Sequence, residues 1–268
     1  MMDIQKFMMQ PGEQPLDHLV TNGGFCGIFR TIACVGDSLS SGEFESMQNG
    51  VIGYHDYFDY SWGQFLARDA GCTVYNFSRG GMTAREYCEG FAESMDFWNV
   101  ERRAQAYILA LGVNDVTAVL SGDLELGTIA DADAATVSAY PKTFVGGYVH
   151  IIRRYQAMQP KAKFFLMTIP KSSDTDAARD ELYDRHAELL HQIAKLLPNC
   201  YVLDFRRYAP FYDDTFKKNF FLGGHLNAAG YRLTALMVES YIDYIIRNHP
   251  EDFRQAGFIG KPFDNEEA

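Results

Sequence analysis

The chain has 268 residues, 47% of them apolar and 14% aromatic, which is ample for one sizeable core. Its 35 Asp and Glu outnumber its 24 Lys and Arg and leave a formal net charge of −11. A nucleic acid or an anionic membrane would be repelled over most of such a surface, so neither is an expected partner and a small-molecule substrate is. The five cysteines (Cys26, Cys34, Cys72, Cys88 and Cys200) are odd in number and form no C-x-x-C pair, which excludes the usual disulfide and zinc-knuckle patterns. They read as buried thiols in a reducing compartment. The first twenty residues lack the basic start and apolar run of a signal peptide, and no stretch of about 18 apolar residues occurs anywhere, so a cytoplasmic protein is expected.

Short apolar runs rich in β-branched residues alternate with amphipathic segments along the chain. TIACVG (31–36), CTVYNF (72–77), AYILALG (106–112), KFFLMTI (163–169) and CYVLDF (200–205) are predicted strands. SWGQFLARDA, VHIIRRYQAMQ and AARDELYDRHAELLHQIAKLL, between them, repeat apolar positions at three and four residues and are predicted helices. The last helix is predicted over 227–247, with Asn227 as N-cap and Leu233, Leu236, Met237, Ile242 and Ile245 on its buried face. This βα alternation implies five buried parallel strands with helices on both faces. No linker, repeat or low-complexity tract divides the chain. One domain is therefore expected over 29–250, with an N-terminal extension (1–28) and a C-terminal tail (251–268).

In such sheets chemistry gathers at the carboxyl ends of the strands. After the first strand comes G-D-S-L-S, Gly36 to Ser40, which fits either an exposed serine nucleophile at Ser38 or an ordinary Asp/Ser cap. Gly36 and Gly42 do not make a phosphate loop, because no Gly-Lys-Ser/Thr follows. After the second strand comes N-F-S-R-G-G-M-T, Asn76 to Thr83, a turn able to aim a backbone N–H at a developing oxyanion, with Gly81 favoured over Gly80. After the third comes L-G-V-N-D-V, Leu111 to Val116, where Asn114 offers a neutral amide donor. Near the end, F-L-G-G-H-L-N holds His225 just before the helix that Asn227 opens.

The four stretches G-D-S-L, N-x-S-x-x-G-x-T, G-x-N-D and G-H-L-N, in this order and at these strand ends, resemble the SGNH (GDSL) hydrolase family over roughly residues 31–247. The resemblance implies a three-layer α/β/α, flavodoxin-like fold with a central five-stranded parallel sheet, and hydrolysis of esters. It matches Ser38 to the family's nucleophile, His225 to its general base, and Gly81 and Asn114, with the Ser38 N–H, to its oxyanion hole. The implied mechanism is an acyl-enzyme one that needs no metal and no organic cofactor. An acetyl ester of a small or carbohydrate-linked alcohol is the expected substrate. A non-catalytic carbohydrate-binding protein on the same fold and an acyltransferase with a sugar hydroxyl as acceptor are the alternatives.

One position departs from the family pattern. An aspartate usually stands three residues before the histidine, and here Leu222 stands there. Three explanations are open: a backbone carbonyl such as that of Leu222 accepts the His225 Nδ1–H, Asp213 or Asp214 folds back to it, or the site is weakened. The remaining expectations are structural. Trp62 and Phe65 are assigned to the core, and the aromatic loop bearing Tyr54, His55, Tyr57, Phe58 and Tyr60 is expected to pack there too rather than stack on a sugar. His186 and His191 are assigned to the surface, five residues apart on one helix and off a common face. Asp204 is expected to cap its turn, and Asp37 and Asp115 to brace the loops beside Ser38 and Asn114.

Overall fold

The computed structural model describes residues 4–254. Its strands are β1 (Thr31–Gly36), β2 (Glu43–Gln48), β3 (Val51–Asp56), β4 (Thr73–Ser78), β5 (Ala106–Ala110), β6 (Lys163–Met167), β7 (Cys200–Leu203), β8 (Phe221–Leu222) and β9 (His225–Leu226). Five of them form one parallel sheet in the order β4-β1-β5-β6-β7. The predicted strands are these five, and their order is the doubly wound one expected for right-handed crossovers.

Each strand of the sheet is covered on both faces, so its residues divide by a period of two. Ala33 and Val35 of β1 join Phe77, Tyr107, Leu109, Phe144, Tyr148 and Tyr155 under the helices Phe144–Met158 and Ala177–Leu196. Ile32 and Cys34 face the other way, against Ile108, Trp62, Leu66, Val238 and Ile242 from the helices Trp62–Ala70 and Ala228–Asn248. The helices open on side-chain caps, with Ser61, Thr143, Asp176 and Asn227 each accepting from a backbone N–H three residues on. On the last helix Met237, Ile242 and Ile245 are buried as expected, while Leu233 and Leu236 are half-buried. The N-terminal segment lies along that helix: Glu13 pairs with Arg247, the Val20 N–H donates to Ser240 and the Phe25 N–H to Asp243.

Several expectations need correction. His186 is not on the surface but fully buried, with Nε2 at 3.2 Å from the Leu111 carbonyl, and burial pushes it down to about 4. Gly112, at φ 143°, leaves the space that this ring fills. His191 is exposed, as expected, and pairs with Asp204 at 2.9 Å. Phe65 is only half-buried, between the Arg68 and Arg232 guanidinium groups, whereas Trp62 is in the core. Asp204 caps the turn after β7, as expected. Cys26, Cys34 and Cys200 are buried and Cys72 and Cys88 half-buried, all five as free thiols.

The aromatic loop is not a loop. Residues 43–56 form an antiparallel hairpin, β2–β3, whose tip is Asn49–Gly50 with φ of 53° and 78°. That dipeptide with both residues left-handed is the tight turn whose twist suits a two-stranded ribbon. Tyr54 on this hairpin and Tyr57 and Tyr60 just beyond it are each more than half exposed rather than packed in the core, whereas Phe58 packs against the core as expected.

Candidate active site

Strand β1 ends on Gly36, and the chain turns at once into the short helix Ser38–Ser41. Asp37 caps that turn by accepting from the Leu39 N–H at 3.1 Å. A side chain at position 36 would run into the Ser40 hydroxyl and stand 3.3 Å from the Ala110 carbonyl, so glycine permits the tight exit. Ser41 anchors the turn from below, donating to the Ser38 carbonyl at 3.1 Å and to Asp56 at 2.5 Å.

Two further strand ends close on this turn. The loop after β4 brings Gly80 and Gly81, the latter at φ 71°, and its Arg79 N–H donates to the Gly36 carbonyl at 3.3 Å. The loop after β5 brings Asn114, whose Nδ2 donates to Asp37 at 3.4 Å and to the Met82 carbonyl at 3.3 Å. Asp115 accepts from the Ala84 N–H at 2.9 Å and ties these two loops together. Asp37 and Asp115 thus brace the loops as expected. Burial pushes Asp37 up to about 6 against the pull of the Leu39 N–H and the nearby His225, and pushes Asp115 up to about 7.

His225 arrives on the small hairpin β8–β9, where it pairs with Leu222 across a Gly223–Gly224 turn. Asn227 fixes the far end, accepting from the Gly230 N–H and donating to the Asn219 carbonyl at 2.8 Å. The turn that carries Ser38 packs against both β2 and β9. Among the described residues no hydrogen bond joins the Ser38 hydroxyl to the His225 ring, whose two nitrogens face carboxylates instead: Nδ1 lies 2.7 Å from Glu45 and Nε2 lies 3.1 Å from Glu43.

The group that holds Nδ1 is therefore Glu45, which none of the three sequence explanations named. Asp213 caps the helix Asp214–Phe220 and Asp214 accepts from the Ser173 hydroxyl, so neither reaches the ring. The Leu222 carbonyl is not the acceptor either. Glu45 also accepts from the Gly224 N–H at 2.8 Å, and its carboxylate lies where side chains at 223 and 224 would otherwise stand. The Gly-Gly turn, with Gly223 at φ 69°, makes that approach possible.

The sequence E-F-E explains the placement. Alternation along β2 puts Glu43 and Glu45 on one face and Phe44 on the other. Phe44 packs at 5.2 Å on Tyr231 of the last helix, and Tyr231 donates to the Glu43 carbonyl at 2.7 Å. Both carboxylates then point at His225, each side chain about one-seventh exposed. The Glu43 carboxylate also lies over Gly80, where an added Cβ would come within 2.5 Å of it. Burial raises Glu43 from its ordinary carboxylate value, against the pull of His225. Asn49–Gly50 between alternating residues was the available signal for this hairpin.

The serine turn, the glycine loop and the asparagine stand at three adjacent strand ends, and the histidine is brought in beside them from a late hairpin. The sequence matches the GDSL-like lipase/acylhydrolase family over residues 34–233. The chain belongs to that family, and it is an SGNH-type ester hydrolase. Among solved structures it is similar to a carbohydrate esterase family 2 enzyme with a carbohydrate-binding domain from Corynascus thermopiles (Myceliophthora fergusii). That match has 16% identity and a TM-score of 0.54 over 81% of this chain and 66% of the other. A family two carbohydrate esterase from Clostridium thermocellum, in complex with cellohexaose, aligns at 14% identity and a TM-score of 0.56, covering 83% of this chain and 65% of that one. The acetyl xylan esterase AlAXEase aligns at 19% and 0.51, covering 79% and 99%. The chain thus spans just under two thirds of the length of the two family 2 proteins. At these identities the likeness is one of fold. Among curated proteins none matches the chain.

Proposed function

We propose that this enzyme removes acetyl groups from small or carbohydrate-linked alcohols through an acyl-enzyme on Ser38. A serine hydroxyl attacks an ester only when a base takes its proton during attack. His225 Nε2 is that base. The Ser38 Oγ–C bond forms as the proton moves to Nε2, and the same proton then passes to the departing alcohol oxygen as its bond to carbon breaks. Water repeats the cycle to release the acid. The Ser38 and Gly81 backbone N–H groups and the Asn114 amide hold the negative oxygen of the tetrahedral intermediate, each such donor being worth about 10²–10³ in rate.

The observation that carries this reading is the 2.7 Å contact between His225 Nδ1 and Glu45. A carboxylate on Nδ1 keeps the proton there, leaves Nε2 as the accepting nitrogen and stabilises the ring once it is charged. Glu45 thus does from β2 what the family's aspartate does from the position of Leu222. For Nε2 to meet the Ser38 hydroxyl, Glu43 has to leave it when substrate arrives, and catalytic hydrogen bonds in empty sites commonly form only in the complex. The carbohydrate preference is supported by the activities of the structural neighbours and by the exposed ring of Tyr54, which lies 5.8 Å from the His225 ring.

The test is labelling with a fluorophosphonate probe together with turnover of p-nitrophenyl acetate and of acetylated xylo-oligosaccharides. Labelling and turnover that vanish in Ser38→Ala support the proposal. An intact protein that the probe does not label refutes it.

A further inference from the structure

The mechanism above uses Glu45 and leaves Glu43 unexplained. Among the described residues the only basic group placed against the Glu43 carboxylate is the His225 ring, whose Nε2 lies 3.1 Å away. The carboxylate is largely buried and spans the gap from that nitrogen to Gly80, which is the space an ester must enter. Among the described residues its surroundings supply no cation besides the His225 ring: Glu45 follows on the same strand, Asp56 stands opposite on β3, and Asp37 approaches from the Ser38 turn. Tyr231, on the helix behind, donates to the backbone of Glu43 and not to its carboxylate.

When the alcohol oxygen of an ester takes Nε2, this carboxylate loses its one basic partner in a site that excludes most water. A buried charge left unpaired opposes binding strongly, so any substrate that supplies a replacement donor at that spot gains over one that does not. The 3.1 Å separation from Nε2 fixes where the replacement must be: one hydrogen bond from the leaving oxygen, on the neighbouring carbon of the alcohol.

We propose that Glu43 is the specificity determinant for the alcohol half of the ester, favouring alcohols with a hydroxyl or an ammonium N–H next to the ester oxygen and rejecting those with an anion there. The inference rests on the ester-hydrolase reading, with His225 as base. It deepens that reading by assigning substrate choice to one side chain. Rejection follows from the same geometry, because an anionic alcohol would face Glu43, Glu45, Asp56 and Asp37 together.

Four acetyl esters of similar size test it by kcat/KM: 2-hydroxyethyl acetate, 2-(dimethylammonio)ethyl acetate, propyl acetate and acetoxyacetate. In the wild type the first two are expected to exceed propyl acetate by about tenfold or more, as sites built around a polar substrate group discriminate against analogues lacking it, and acetoxyacetate to fall below it. Glu43→Gln keeps a carbonyl acceptor but no charge, so it retains the hydroxyl preference and loses the ammonium preference. Glu43→Ala brings 2-hydroxyethyl acetate and propyl acetate within about twofold of each other, while the three remaining carboxylates keep part of the bias against acetoxyacetate. Fluorophosphonate labelling of each variant establishes that its serine site is intact. Turnover and labelling with equal rates on all four esters in the wild type, or a preference for 2-hydroxyethyl over propyl acetate that survives in Glu43→Ala, overturn the role of Glu43 and leave the hydrolase reading standing. No turnover and no labelling in the wild type overturn both.

Discussion

The two halves of the site are built differently. Ser38, Gly81 and Asn114 sit on turns at the ends of neighbouring strands of the main sheet, and their geometry is set locally by Asp37, Asp115 and the glycines at 36 and 81. His225, Glu43 and Glu45 sit on two small hairpins outside that sheet, at opposite ends of the chain, and are set by each other. The first half is held by hydrogen bonds among neighbouring strand-end turns, from Asp37 to Leu39 and to Asn114, and from Asp115 to Ala84. The second is a network in which imidazole, carboxylate and the Gly224 N–H hold one another, so damage to one member passes to the rest.

Mutations sharpen this contrast. The largest effect belongs to the scaffold half: Ser38→Ala lowers kcat for p-nitrophenyl acetate by about 10⁴ or more, because the base has nothing left to activate. Asn114→Ala follows, with a loss of about 10²–10³ in kcat and little change in KM, measured under steady-state conditions, since its donor acts on the oxyanion rather than on bound ester. On the hairpin half, Gly223→Ala strains a residue at φ 69° and pushes a methyl group into Glu45, so kcat falls by about tenfold to a hundredfold while far-UV circular dichroism is unchanged.

The smallest effect lies outside both halves. Glu239 is fully buried on the last helix, and burial, aided by the Asp69 carboxylate, pushes it up to about 8. A carboxyl raised in the folded state contributes stability that is complete below its unfolded value of 4.5 and is lost as pH rises through about 8. Glu239→Gln is therefore expected to shrink the fall in Tm between pH 6 and pH 9 by about 2–6 °C in a scanning fluorimetry series, with no change in kcat.

The same contrast separates what the sequence discloses from what it hides. The five sheet strands are legible because each is a continuous apolar run, and Ser38, Gly81 and Asn114 because each directly follows one. His225 is legible through the helix whose N-cap, Asn227, stands two residues later. Glu45 is not, because what makes it matter is a contact across 180 positions, and because the aromatic stretch after Ser38 reads as a loop although Asn49–Gly50 marks a hairpin. Once β2 is a strand, alternation alone puts both glutamates on one face. His186 escaped for a related reason: helix periodicity says which residues share a face and not that Gly112 opens a hole opposite one of them. The exposed tyrosines show the reverse error, in which aromatic character was taken for burial.

The account stands or falls on the acid. Measuring kcat for Glu45→Gln beside the double variant Asp213→Ala/Asp214→Ala tests it most directly. A fall of about 10²–10⁴ in Glu45→Gln, with the double variant within about tenfold of wild type, is the predicted result. A Glu45→Gln enzyme that keeps wild-type kcat, or a double variant that loses it, would contradict the assignment of Glu45 as the group that orients His225.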